Sequence, residues 1–148
     1  MANREEKTMK FMMIVKANKD SEAGVMPSEE LLAAMGTYNE ELHKAGVLVD
    51  LAGLQPTSKA VRIRYSGGKQ SVIDGPFAEA KEQIAGFWII DVKSREEAID
   101  WAKKVPALHG PGTDSELEVR PFFGLEDFEP SEAIEKHREL GKKMGKTD

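Results

Sequence analysis

Asp74-Gly75-Pro76-Phe77-Ala78-Glu79-Ala80-Lys81-Glu82-Gln83-Ile84-Ala85-Gly86-Phe87-Trp88-Ile89-Ile90-Asp91-Val92 joins a sharp turn, a run of charges and an apolar strand. Asp-Gly-Pro is strong punctuation, because Gly tolerates positive φ and Pro fixes its own φ. Phe87 to Ile90 has no polar face, which predicts a strand buried on both sides. Glu79, Lys81 and Glu82 are therefore carried to the edge of a buried strand, where a site can form.

Working outward, Lys10–Lys16 is a second strand apolar on both faces, with Phe11, Met13 and Val15 opposing Met12 and Ile14. A polar loop over residues 17–27 ends at Pro27. Ser28 then caps a helix whose Leu31, Met35, Tyr38, Leu42 and Ala45 recur on one face, and Gly46 closes it. Val47–Leu54 reads as a strand. Ala60–Tyr65 alternates Val61, Ile63 and Tyr65 with Arg62 and Arg64, so one face is wet or borders a polar cavity. Ser66-Gly67-Gly68-Lys69 turns a hairpin into Gln70–Ile73. After the central strand, Ser94 and Glu97 form a capping box for a helix that stops at Pro106. Leu108–Asp114 is a turn-rich loop, Glu116–Phe123 the last strand, and Ser131 opens a charged helix to about Lys143.

This order predicts an α+β fold: a ferredoxin-like antiparallel sheet with two helices on one face. Two strands are apolar on both faces, yet helices cover only one. A second copy of the chain is the simplest cover, giving a homodimer with sheets face to face, and the alternative cover is the C-terminal helix. Residues 1–8 are expected as a disordered tail, 9–128 as the domain and 129–148 as a charged helix or arm.

The 148 residues carry a formal net charge of -5 with acids and bases interspersed, and no basic stripe runs between aromatics, which argues against nucleic acid as a partner. The apolar run Phe11–Val15 is far short of the roughly 20 residues that cross a bilayer, so no membrane is expected. Zero cysteines remove disulfides, thiolate metal sites and cysteine nucleophiles, and fit a cytoplasmic location.

Met-Lys-Phe-Met-Met-Ile-Val at 9–15, Glu-Leu-His-Lys-Ala-Gly-Val-Leu at 41–48 and Asp-Gly-Pro-Phe-Ala-Glu-Ala-Lys-Glu at 74–82 resemble the YCII-related, DGPF-domain family. Gly86–Ile90, Glu97–Trp101 and Glu118–Pro121 extend the likeness across residues 9–128. The resemblance implies a dimeric α+β barrel, in a superfamily that includes muconolactone-isomerase-like proteins and a chlorinated-hydroxyquinol dehydrochlorinase. It also implies a His–Asp pair in the YCII branch, but His43 lies late in the first helix with no Asp companion nearby.

Among single residues, Asp74 is the first candidate for a catalytic carboxylate, because a partly buried acid beside an aromatic acquires a raised pKa and acts as a base. The same residue type also caps its own Gly-Pro turn. His109, in the Gly-Pro-Gly loop, is the histidine placed to act as acid or base near neutral pH, or it is an exposed loop residue. Glu79, Lys81 and Glu82 line a site or form a solvated run. Arg62 and Arg120 gather an anionic ligand or occupy wet strand faces. Trp88 lines an aromatic pocket or packs the core. Three scattered histidines offer no metal-ligand spacing, and no cofactor motif is present.

Two readings of function follow. One is a cofactor-independent lyase or isomerase acting on a small cyclic anionic molecule, with Asp74 and His109 moving protons and Arg62 or Arg120 holding the anion. The other is a non-catalytic ligand-binding or regulatory module.

Overall fold

The computed structural model describes residues 7–107 and 114–146. Strand β1 (Met9–Lys16) leads into a four-residue helix α1 (Lys19–Glu22), then helix α2 (Glu29–Lys44) and strand β2 (Leu48–Gly53). A hairpin follows, β3 (Val61–Ser66) and β4 (Lys69–Asp74), and the chain returns through β5 (Ile84–Val92), α3 (Arg95–Lys103), β6 (Leu117–Pro121) and α4 (Glu132–Lys143). Short 3-10 turns occupy Thr57–Lys59, Ala80–Glu82 and Leu125–Asp127.

The main sheet is antiparallel in the order β2-β5-β1-β6, consistent with the predicted ferredoxin-like α+β fold. Register explains where the core sits. Phe11 pairs with Ile90 and Met13 with Trp88, so these four share one face. They pack with Tyr38 and Leu42 of α2 and Ala98 of α3. Tyr38 donates its hydroxyl to the Trp101 carbonyl at 2.8 Å, which ties the two helices together. Ser28 and Ser94 cap α2 and α3 as expected, accepting from the Leu31 and Glu97 amides. The Glu97 carboxylate, however, accepts from the Lys93 amide, one residue before the cap.

On the opposite face Met12 pairs with Ile89 and Ile14 with Phe87. Within one chain Ile14 is buried, but Met12, Phe87 and Ile89 are only half-buried. The burial expected on both sides of β5 is therefore completed on one side only.

Two elements depart from the expectation. The loop after β1 contains α1, where Asn18 and Ser21 cap each other's backbone amides, a signal too short to show in apolar spacing. The hairpin is not part of the main sheet but a separate two-stranded ribbon. All six residues of β3 are exposed, on both faces and not on one as the alternation implied.

Candidate functional site

The hairpin returns to the main sheet through Asp74-Gly75-Pro76-Phe77, and backbone contacts make that corner specific. The Gly75 amide donates to the Ala60 carbonyl at 2.9 Å. A Cβ built on Gly75 would fall 1.7 Å from the Thr57 carbonyl oxygen, so only glycine fits against the 3-10 turn. The Phe77 amide donates to Thr57 Oγ1 at 3.1 Å, and the Thr57 hydroxyl in turn donates to the Glu22 carboxylate. Glu22 Oε1 also accepts from the Thr57 amide at 3.2 Å. One carboxylate on α1 thus orders the turn that orders the corner.

Arg62 lies on the other side of this corner. Its guanidinium carbon sits 3.7 Å from the Phe77 ring centroid, a stacked cation–π contact. Arg62 Nη2 donates to Gln83 Oε1 at 3.3 Å. Gln83 is the buried polar residue among those described, and its Nε2 donates to the Ala78 carbonyl at 3.1 Å. The Gln83 carbonyl accepts from the Ala17 amide at 3.0 Å, which links β1 to the same cluster. Among the described residues no carboxylate forms an ion pair with Arg62. Arg62 is otherwise exposed, so its guanidinium is fixed by Phe77 and Gln83 and accessible from solvent.

Glu79 is held in the left-handed region at φ 60 and ψ 76. For a non-glycine residue that costs about 1–2 kcal/mol, and the turn it creates carries Lys81 over a cleft. The cleft holds about 200 Å³ and is lined by Lys16, Asn18, Lys81, Asp114 and Glu116 among others. A wider, shallower depression of about 560 Å³ adjoins Lys19, Asp20, Glu79 and Lys81. Glu82 is exposed and lines neither.

The other candidates are dispersed. Asp74 is exposed, not partly buried, and pairs across the ribbon with Val61. Arg62 pairs with Ile73, so Asp74 and Arg62 project to opposite faces of the hairpin. Trp88 is buried beneath α2, its ring edge-on to Tyr38 and its indole N–H donating to Asn39 Oδ1 at 2.7 Å. Arg120 is exposed on the open sheet face in an ion pair with Glu118, which also meets Lys16 at 3.3 Å. Partial desolvation pushes the Glu118 carboxyl up, but Lys16 and Arg120 outweigh it and hold it below the ordinary carboxylate range. His109 lies outside the described residues, and His43 is exposed in the last turn of α2. Among the described residues no three His, Asp or Glu side chains gather as a metal site.

Sequence reasoning missed Glu22, Thr57 and Gln83. Gln83 had a legible signal, a polar residue at the threshold of an apolar strand, whereas Glu22 and Thr57 are joined only by folding.

A model of the YCII-related domain family matches residues 9–123. The chain is also similar to an uncharacterized protein of Rhizobium meliloti (strain 1021), 40% identical over 94 residues that cover 64% of this chain and 74% of that protein.

Proposed function

We propose, proceeding from the fact that this chain belongs to the YCII-related domain family, that it binds a small cyclic anionic molecule at the Asp74–Phe77 corner. Arg62 supplies the charge. The observation that carries this reading is a guanidinium stacked on Phe77, steadied by Gln83 and lacking a carboxylate partner among the described residues. Such a fork is preorganised for a carboxylate, whose two oxygens match two parallel N–H donors. Lys81 and Glu79 border the neighbouring cleft and would meet the rest of the ligand. In the catalytic form of this reading the protein is a cofactor-independent lyase or isomerase, with Asp74 and His109 as the proton-handling groups.

The second reading, a non-catalytic ligand-binding or regulatory module, is favoured by one observation. Asp74 and Arg62 project from opposite faces of the ribbon, so a carboxylate held by Arg62 does not meet Asp74 of the same chain. The unshielded sheet face supports a homodimer with open faces packed together, as in a dimeric α+β barrel. With it go a cytoplasmic location and an arm formed by residues 129–148. No helix among the described residues is long and apolar enough to cross a membrane.

The test is calorimetric titration with benzoate and salicylate, and with catechol as the uncharged control. Binding of the carboxylates that Arg62→Lys weakens about tenfold or more is the expected result, since losing charge-assisted hydrogen bonds costs about 1.5–3 kcal/mol. Equal heats for wild type and variant overturn the assignment. Turnover of a bound compound that Asp74→Asn abolishes separates the enzyme from the binding module.

A further inference from the structure

Helix α4 has a mostly apolar stripe. At helical spacing Ala133, Ile134, His137, Leu140, Gly141 and Met144 gather on one side, and the charges occupy the other. None of its residues is buried, and Leu140 and Met144 are 55% and 61% exposed. It packs on the small turn Leu125–Asp127. An amphipathic helix of twelve residues gains little stability from propensity alone and requires a covering surface.

The hairpin presents a matching one. Val61, Ile63 and Tyr65 of β3 share a face with Val72 of β4, and these four are 58%, 46%, 73% and 67% exposed. Six-residue strands extend about 20 Å, and twelve helical residues extend about 18 Å. The two stripes are equal in length.

Topology decides which copies they join. β2 hands the chain to the hairpin at the sheet end where Gly53 pairs with Gly86, beside Lys16. β6 ends at the other end, where the Phe122 amide donates to the Lys10 carbonyl. The segments that lead to the hairpin and, through residues 122–131, to α4 therefore leave the sheet from ends separated by the length of β1, about 26 Å. A two-fold axis crossing the strands sets the hairpin end of one copy beside the α4 end of the other, twice over.

The exposed area is sufficient. The chain presents 11307 Å², against about 7,500 Å² for a compact monomer of this mass. Even if the fourteen residues outside the described ranges were fully extended, at about 160 Å² each, roughly 1,500 Å² of excess remains. A standard interface needs about 800 Å² per partner. We propose that α4 of each protomer lies across the β3–β4 hairpin of the other, so that the partner copy roofs the ribbon that carries Arg62 and Asp74. This rests on the dimer reading above and adds a contact that sheet pairing does not require.

Because the chain has no cysteine, single cysteines report the contact directly. Full-length Val72→Cys and Leu140→Cys chains, differing in tag, are mixed and mildly oxidised, and Tyr65→Cys with Met144→Cys provides a second register. The expected result is a mixed disulfide in at least one pair, about tenfold above a Lys44→Cys control, since bonding requires Cα atoms within about 7 Å. Yields no better than the control in both pairs overturn the exchange, as does an intrachain disulfide in a Val72→Cys/Leu140→Cys chain at high dilution. Sedimentation of the wild type separates the two failures. A dimer without the cross-link discards the exchange and leaves sheet pairing standing, whereas a monomer discards both.

Discussion

The contact that leaves least room for change is Gly75 against the Thr57 carbonyl. A methyl group there overlaps backbone, so the 3-10 turn and the corner cannot both keep their places. Gly75→Ala is expected to lower stability by roughly 3 kcal/mol, read from the urea midpoint, at the upper end of overpacking costs. Tyr38 carries a pH prediction. Burial, with a smaller push from Glu41, raises its phenol above the ordinary 10.0. The unfolded chain then releases this proton first, so the stabilising effect is full below pH 10.0 and is lost as pH rises beyond it. In Tyr38→Phe the alkaline fall in stability is shallower, while the loss of the Trp101 hydrogen bond lowers the neutral-pH value by about 1 kcal/mol. Chemical denaturation at a series of pH values checks both effects.

At the scale of elements, regular periodicity was a reliable guide. α2, with its serine cap and 3.6-residue stripe, lies where the spacing puts it, and so do the alternating hairpin strands. Gly36 lies inside α2 with nothing within 4 Å of an added Cβ. Gly36→Ala is therefore expected to stabilise by about 1 kcal/mol, with a rise in melting temperature and no change in ligand binding. What periodicity could not convey was the assignment of the hairpin to its own ribbon. Alternation describes a strand, and an exposed ribbon alternates just as one side of a main sheet does. The site was legible in part for the same reason. Arg62 and the Asp74–Phe77 corner are marked by residue type, but the Glu22–Thr57–Phe77 chain joins residues 22, 57 and 77, which no local pattern relates.

For the whole molecule the open sheet face is the deciding feature. Met12, Ile14, Phe87 and Ile89 form an apolar centre, and the charges of Lys16 at the end of β1 and of Glu118 and Arg120 on β6 border it. If two copies pack there, a charge at the centre is buried without a partner and association fails. Wild type is expected to sediment at twice the chain mass of 16.4 kDa and Ile89→Lys at the chain mass, with far-ultraviolet circular dichroism unchanged. A wild-type monomer at micromolar concentration would falsify the dimer.

Hydrophobic spacing, capping residues and turn chemistry act between residues a few positions apart, and so the sequence by itself determined the elements, their order and the two-faced strands β1 and β5. The tertiary structure alone decided which face of β5 the helices cover, that the hairpin stands apart, and that Glu22, Thr57, Gln83 and Arg62 converge on one corner. Those outcomes depend on strand register and on hydrogen bonds between distant segments, which exist only after the chain has closed on itself.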